Sequence, residues 1–290
     1  MADARPTLEA VLGVQPDGGA TGQWLEMIRK RLPAVDYSAI TASKVQLTRD
    51  EREWVDLIQS RTAAWQGRRS DLIAPYAPTS PPRHVLIVMG NRGGSDAFTH
   101  DAVTIGFDLS ALAAAYGDAS LPENADRIDR LFDHEYTHLM QKAWLVDHPY
   151  LADSPMRAAL LDIWLEGLGN HRSLSTRWRA ADGRLSQTAE DALAPLKPRF
   201  VARMSALACA SPQDAETLTK DLSQGRFESK WGALPAALWL DMEASQDPGA
   251  LRGFVLGGPE EVWNLAARHL PAPLSDVLAE ARRASSLCAR

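Results

Sequence analysis

Two histidines separated by three residues are the part of this sequence best suited to chemistry. His134 and His138 enclose Glu135 in the segment His134-Glu-Tyr-Thr-His138. On a helix, side chains at positions i and i+4 lie on the same face, so both imidazoles can reach one ion. Zinc binds neutral imidazole nitrogens, and a glutamate beside the first histidine is placed to deprotonate a water molecule. The spacing predicts a zinc (Zn²⁺) site with Glu135 as general base.

The residues around this segment predict the helix that it needs. Asn124–Ala143 contains no glycine or proline, and Asn124 is a suitable N-cap. Apolar side chains recur at steps of three or four residues and form a stripe that can face a core. This stripe consists of Ile128, Phe132, Tyr136, Leu139 and Ala143. The histidines and Glu135 fall on the adjacent stripe, where they can face a cleft.

A catalytic zinc ion needs a third protein ligand, and Glu166 is the best candidate. It lies in Ser154–Asn170, a predicted helix that begins with Ser154 as N-cap and ends near Gly167 and Gly169. A carboxylate among large apolar neighbours is costly unless it is paired or binds a metal. Asp153 and Asp162 stay open as alternative third ligands. Asp162 and Asn170 also lie on the face of Glu166, where they could orient the liganding histidines.

These two segments together resemble the gluzincins, the clan of zinc peptidases that includes thermolysin and related aminopeptidases. The resemblance rests on His134-Glu-x-x-His138 and on Trp164-Leu-Glu-Gly167 downstream, and it covers residues 100–172. It implies that His134, His138 and Glu166 are zinc ligands and that Glu135 is the general base of peptide hydrolysis. The clan often has an aspartate four residues after the liganding glutamate, where this chain has Asn170.

The sequence departs from other zinc peptidase patterns. A metzincin would have glycine at the position of Gln141 and a third histidine at the position of Trp144.

The resemblance to gluzincins also implies a tyrosine or histidine that holds the oxyanion. His171 is the first candidate for this role, ahead of Tyr150 and His269. No G-x-M-E-N phrase of the clan's aminopeptidases precedes the predicted helix, which favours an endopeptidase or a narrowly specific peptidase.

The N-terminal half predicts helices followed by a small sheet. Residues 20–73 are helical in pattern, with a capping box from Thr48 to Glu51, and Pro75–Pro82 is expected to be an extended surface linker. Strands are predicted at His84–Met89 and Asp101–Asp108, with a turn at Asn91–Ser95 between them. Val103–Phe107 is either an edge strand that pairs with an extended substrate or an ordinary interior strand.

The C-terminal half is helical in pattern throughout. Helices are predicted at Ser186–Ala208 with interruptions at Pro195 and Pro198, at Ser211–Gln224, Trp231–Glu243, Pro259–His269 and Leu274–Ser285. Four large side chains of the third helix are expected in the core, namely Trp231, Leu234, Leu238 and Trp239.

The order of elements predicts the fold class and the domains. We expect a mostly helical α+β, zincin-like fold with a small antiparallel sheet before the active-site helix and a helical C-terminal lobe. The expected divisions are an N-terminal helical segment with its linker (1–83), a catalytic core (84–172) and the C-terminal lobe (173–290), with one continuous domain as the alternative.

Composition restricts the partners. The net charge of −6 and the lack of a basic patch argue against nucleic acid, and no apolar run approaches a membrane span. No signal peptide is visible, so the chain is either cytoplasmic or, with a slight preference, a secreted or periplasmic protein without its signal. Cys209 and Cys288 form a disulfide or stay as inert thiols. The oligomeric state stays open.

The function predicted from the sequence is zinc-dependent hydrolysis of a peptide or protein substrate. Two alternatives stay open. One is a zinc hydrolase that acts on a non-protein amide, and the other is an inactive binding module that keeps the fold. Glu135 argues against the inactive module, because a scaffold has no need of that carboxylate.

Overall fold

The computed structural model describes residues 7–15 and 18–288, and it confirms a mostly helical α+β fold. The strands are β1 (Thr7–Leu12), β2 (Val14–Gln15), β3 (Gly19–Ala20), β4 (His84–Gly90), β5 (Ala97–Thr99) and β6 (Thr104–Asp108). The helices are α1 (Gly22–Arg29), α2 (Ala34–Ala42), α3 (Arg49–Ile73), α4 (Leu109–Tyr116), α5 (Pro122–Asp147), α6 (Pro155–Ser173), α7 (Gln187–Leu207), α8 (Pro212–Leu218), α9 (Ala233–Gln246), α10 (Ala250–Gly257), α11 (Glu261–His269) and α12 (Ala272–Cys288). Backbone contacts divide the chain into two units.

The first unit comprises residues 1–73 and 77–144 and contains a four-stranded sheet of order β1-β4-β6-β5. β4 pairs in parallel with both β1 and β6, and only β5 and β6 are antiparallel. The sheet is therefore mixed, which corrects the expected antiparallel pairing. Parallel neighbours need a crossover connection, and the three helices between β1 and β4 supply one.

The strand predicted at Asp101–Asp108 is β6, which begins only at Thr104. β6 is hydrogen-bonded on both sides and all five of its residues are buried, so it is an interior strand rather than an edge for substrate. The edge position next to it belongs to β5, which the sequence pattern did not reveal. Three residues are too few to show an alternating pattern.

The long helix α3 packs against β1 and α4 and begins at the predicted capping box. The backbone N–H of Thr48 donates to Oε2 of Glu51 at 2.7 Å, and the N–H of Glu51 donates to Oγ1 of Thr48 at 3.2 Å. Trp65 of α3 is fully buried and stacks on Phe132 with ring centroids 4.5 Å apart. This contact joins α3 to α5 in the core of the first unit.

The proline tract at 75–82 differs from the expected surface linker. Ala74–Tyr76 forms a 3₁₀ turn in which Pro75 and Tyr76 are buried. The fixed φ of proline suits a tight helical turn as well as an extended chain, so the composition alone did not decide between them.

The turn predicted at Asn91–Ser95 lies against Asp108, whose carboxylate accepts the backbone N–H groups of Arg92 and Gly94.

The second unit comprises residues 74–76 and 145–290, and α6 and α9 contact each other along its core. The four predicted core residues are all buried, namely Trp231, Leu234, Leu238 and Trp239.

The helix α7 continues through Pro195 and Pro198, where interruptions were predicted. A proline inside a helix removes a hydrogen bond, but the buried apolar face of α7 offsets that loss. The helix α10 has no counterpart among the predicted helices.

A disulfide joins Cys209 and Cys288, which are 79 residues apart in sequence, and thus decides between the two predicted states of these cysteines. It links the residues after α7 to the last turn of α12, and these two helices also contact each other.

Among the described residues, no helix combines the length and apolar character that a bilayer span requires.

Candidate metal centre

The helix α5 presents His134 and His138 beside its buried face. Four residues of the predicted apolar stripe are fully buried, namely Ile128, Phe132, Tyr136 and Leu139. The two histidines are half-buried, and their Nε2 atoms lie 2.9 Å apart. Two nitrogens that bind one zinc ion tetrahedrally at about 2.0–2.1 Å are separated by about 3.3 Å. The helix therefore brings two imidazole nitrogens to nearly the separation that a shared ion requires.

The start of α5 differs from the prediction. The helix begins at Pro122, because proline at the first helical position has its φ already set. Asn124 is consequently inside the first turn rather than an N-cap. Its side-chain amide is buried and donates to the carbonyl oxygen of Asp118 at 2.7 Å, which holds the preceding loop against the helix.

Side chains of α3 fix the rotation of α5 about its axis. The Asp129 carboxylate accepts two hydrogen bonds from Arg61, at 2.9 and 2.6 Å, and one from the Trp65 indole at 2.7 Å. Seven residues along α5, the Tyr136 hydroxyl accepts from Nε of Arg69 at 2.9 Å. Because these contacts hold one side of α5 against α3, they determine the direction in which the histidines point.

Gln141 orients the ring of His138. Its Oε1 lies 2.8 Å from Nδ1 of His138, and the glutamine is fully buried. An amide oxygen can only accept, so Nδ1 carries the proton and Nε2 keeps its lone pair for a metal. In the sequence, Gln141 only excludes the metzincin pattern. Its position three residues after a liganding histidine could have revealed this role.

The helix α6 carries Glu166. The predicted N-cap is confirmed, since Oγ of Ser154 accepts the backbone N–H of Arg157 at 3.3 Å. The helix continues past both glycines to Ser173, which corrects the end predicted there. Gly167 instead serves packing, because a Cβ at this position would lie 2.8 Å from Cβ of Ala236 in α9. The glycine allows α6 and α9 to approach closely.

The environment of Glu166 suits a metal ligand. Its helix neighbours Trp164 and Leu168 are almost completely buried. Burial raises the pKa of the Glu166 carboxyl above its ordinary value, and the positive charge of Lys230 opposes this rise. A carboxylate in such surroundings gains from a cation that it can bind.

One ligand atom from each of His134, His138 and Glu166 lies within 4.8 Å of the other two. This group could hold a metal ion, and it is the one that the sequence analysis assembled from separate segments. Two imidazoles and one carboxylate are a donor set that suits zinc and other divalent metals of the first transition row.

The alternative third ligands are engaged elsewhere. Asp153 is exposed and forms an ion pair with Arg157 at 3.0 Å, and Asp162 accepts a hydrogen bond from Ser223 at 3.0 Å. Asn170, predicted to orient a histidine, is buried, and its Nδ2 has no hydrogen-bond partner among the described residues. The described contact that orients a histidine comes from Gln141.

Glu135 lies directly beside His134, and its side chain is buried. Its negative charge acts on two cations, Arg31 and Lys142. Burial lowers the pKa of both groups, and the charge of Glu135 opposes that shift in each case. Glu135 is therefore a buried carboxylate next to one of the residues that could hold a metal.

His171 is placed in a different environment. It is buried on α6, with Nδ1 3.6 Å from Oδ1 of Asp241 in α9. Burial lowers the pKa of His171 to about 3. The positive charges of Arg172 and Arg179 lower this pKa further, and the negative charge of Asp241 raises it. These contacts hold the ring against α9, and the oxyanion role of His171 stays a prediction.

The two weaker oxyanion candidates also have structural contacts. The Tyr150 hydroxyl lies 3.0 Å from a Glu260 carboxylate oxygen. His269 stacks on Trp239 and lies 3.0 Å from Glu243.

Comparison of the chain with protein-family models, with curated proteins and with solved structures gives no match.

Proposed function

We propose that this chain is a zinc-dependent peptidase of the gluzincin type, with His134, His138 and Glu166 as zinc ligands and Glu135 as general base. The observation that carries the proposal is the convergence of three ligand atoms, from residues that the sequence spreads over two helices, within 4.8 Å. The donor set of two histidines and one glutamate, with no more protein ligands, leaves a position open for water and substrate.

When bound, zinc supplies a Lewis acid that polarises a carbonyl group and makes water more acidic. The residues of the chain do the rest. Gln141 fixes the tautomer of His138, so that its Nε2 faces Nε2 of His134. Glu135 accepts the proton of the attacking water as the new C–O bond forms. It then delivers that proton to the leaving nitrogen as the C–N bond breaks.

Burial of Glu135 supports this role, because a carboxylate withdrawn from bulk water has a smaller cost of changing its charge during the reaction. The predicted peptide or protein substrate remains the best fit to the resemblance with gluzincins. A non-protein amide would require the same residues, so the test must separate the two.

The test combines metal analysis with hydrolysis. The purified full chain should contain about one zinc per molecule by mass spectrometry of the metal content. It should cleave an unstructured protein, and a chelator should stop that cleavage until zinc is restored. Glu135→Gln should keep the zinc and reduce cleavage by roughly 10²–10⁴-fold, the usual contribution of a general base.

Glu123→Gln is the matched control, since Glu123 is exposed in the first turn of the same helix. It should leave both zinc content and cleavage unchanged. Zinc without any cleavage of proteins or peptides would overturn the peptidase and favour the hydrolase of a non-protein amide or the binding module. Absence of zinc would overturn the metal site.

A further inference from the structure

The last helix, α12, buries few of its side chains. Among its described residues only Leu278 and Ala281 are buried, and most of the others are exposed. One large apolar side chain and one alanine remove little surface from water, so they contribute little to holding the helix in place. A helix at the end of a chain frays unless it is tied down. The covalent bond from Cys288 to Cys209 therefore supplies much of what keeps α12 against α7 and α11.

The end of α12 that carries the disulfide faces the helix that carries Glu166. A cavity of about 180 Å³ is lined by Arg282 and Ser285 of α12 and by Met156 and Leu160 of α6, and α11 completes its wall. Met156 and Leu160 are almost completely buried. Release of α12 would open this cavity and bring both side chains into contact with water. The position of α12 thus bears directly on the first turns of α6.

A second route connects the disulfide to Glu166 through α11 and α9. The helix α11 contacts α12, and it also contacts both α6 and α9. In turn, α9 packs closely along α6, since a Cβ at Gly167 would lie 2.8 Å from Cβ of Ala236. Gly167 is the residue directly after Glu166. Coupling between distant groups travels through packed elements of this kind, so loosening of α12 reaches the turn that positions Glu166.

The disulfide is accessible to a reductant, because Cys209 and Cys288 are both exposed. A thiolate of a dithiol attacks one sulfur and forms a mixed disulfide, which releases the other cysteine. The second thiol of the reagent then displaces the first cysteine. The dithiol is oxidised to a disulfide, and its two electrons and two protons end on the two cysteine thiols.

We propose that the disulfide between Cys209 and Cys288 is a redox switch, whose reduction by a dithiol releases α12 and weakens zinc binding through Glu166. This inference rests on the proposed function, because it assigns a regulation to the same metal site. The oxidised chain holds its zinc in an oxidising compartment, and the reduced chain loses zinc where dithiols are abundant. Coupling between two sites is reciprocal, so bound zinc also makes the disulfide harder to reduce.

The first experiment compares the oxidised full chain with the same chain after reduction and alkylation. The sequence contains two cysteines, so alkylation is confined to this pair and stops the thiols from binding zinc. Titration of zinc against a competing chelator should show about tenfold weaker binding to the alkylated chain, within the usual range of coupling between sites. The double variant Cys209→Ser, Cys288→Ser should show the same weakening without any reagent. Amide hydrogen exchange should become faster in α12 and in the first turns of α6.

The second experiment measures the redox equilibrium of the disulfide in a dithiol buffer, with and without zinc at a free concentration fixed by a chelator. Zinc should lower the equilibrium constant for reduction by the same factor, and a tenfold change corresponds to about 30 mV. Glu166→Gln is the control, because it removes the ligand through which the coupling acts and should abolish the effect of zinc. Zinc that bound the free thiols would instead favour reduction, and would do so in Glu166→Gln as well.

The outcomes distinguish this inference from the proposed function. Equal zinc affinity of the oxidised and alkylated chains would overturn the switch and leave the peptidase standing. Fast exchange throughout residues 145–288 after reduction would also overturn it, because the disulfide would then support the whole unit rather than α12. If the oxidised chain binds zinc and cleaves no peptide, the peptidase fails, and a tenfold change in zinc affinity would still support the switch at the metal site. If the oxidised chain binds no zinc, both fail.

Discussion

The histidine pair of α5 and the lone His171 of α6 show how the same residue type is used in two ways. His134 and His138 are half-buried, and a neutral amide oxygen fixes the ring of His138. His171 is buried beside Asp241, whose carboxylate also accepts hydrogen bonds from Arg179 at 3.0 and 2.5 Å. The pair brings two ring nitrogens to a common point, where they lie 2.9 Å apart, whereas His171 packs against α9. A histidine in a motif is thus distinguished from a structural one by its neighbours.

The largest expected effect separates the two kinds of histidine by metal content. His138→Ala removes one of three zinc ligands, so the variant should contain almost no zinc and should lose cleavage. His171→Ala should contain as much zinc as the wild type, and so should His148→Ala, a control at an exposed loop histidine. Metal analysis of the three purified variants checks this. Full zinc in His138→Ala would remove that residue from the ligand set.

The next effect concerns stability. His171→Ala leaves a cavity in the packed region between α6 and α9 and removes the contact of the ring with Asp241. We expect the free energy of unfolding to fall by about 2–4 kcal/mol. Urea unfolding of metal-free protein gives this value without a contribution from zinc. A change below about 0.5 kcal/mol would show that His171 is not a structural residue.

A smaller effect is expected at Gln141. Gln141→Ala removes the oxygen that holds Nδ1 of His138, so the ring can rotate and change tautomer. Zinc affinity should fall by about 10–100-fold, as is usual when the partner of a liganding histidine is lost. Titration against a competing chelator measures it. Gln141→Glu keeps an acceptor and should recover much of the affinity, and equal affinity in all three proteins would contradict the role.

A last effect is a pH dependence of stability that belongs to His171. An unfolded histidine takes up a proton near pH 6.5, whereas burial lowers the pKa of folded His171 to about 3. Between these values the unfolded state binds one more proton, so stability falls as the pH falls, by about 1.4 kcal/mol per pH unit. Urea unfolding of metal-free wild type and His171→Ala from pH 7 to pH 4 should show this slope as their difference. Parallel curves would contradict the lowered pKa.

The sequence predicted the local features of the site well. The spacing of His134, Glu135 and His138 and the buried stripe of α5 depend on one helix, and helical periodicity is visible in a single chain. Ser154 at the start of α6 and the capping box at Thr48 are equally local. Glu166 was added to the two histidines because of its apolar neighbours and then by resemblance, not by periodicity. One ligand atom of each of the three residues lies within 4.8 Å of the other two.

Features that depend on packing between distant segments were not predicted. Gly167 marks no helix end, because the reason for glycine there is Ala236, 69 residues further along the chain. The parallel pairing of β1 and β4 and the short edge strand β5 depend in the same way on distant partners.

The link between Cys209 and Cys288 has a consequence for any cut in the chain. The covalent loop encloses α8 to α11 and the exposed segment around Gln224 and Gly225. A single break in that segment would leave two fragments that migrate as one species until a reductant separates them. Gels run without reductant would therefore hide a break between Cys209 and Cys288, and an intact band under those conditions would say nothing about the backbone inside that loop.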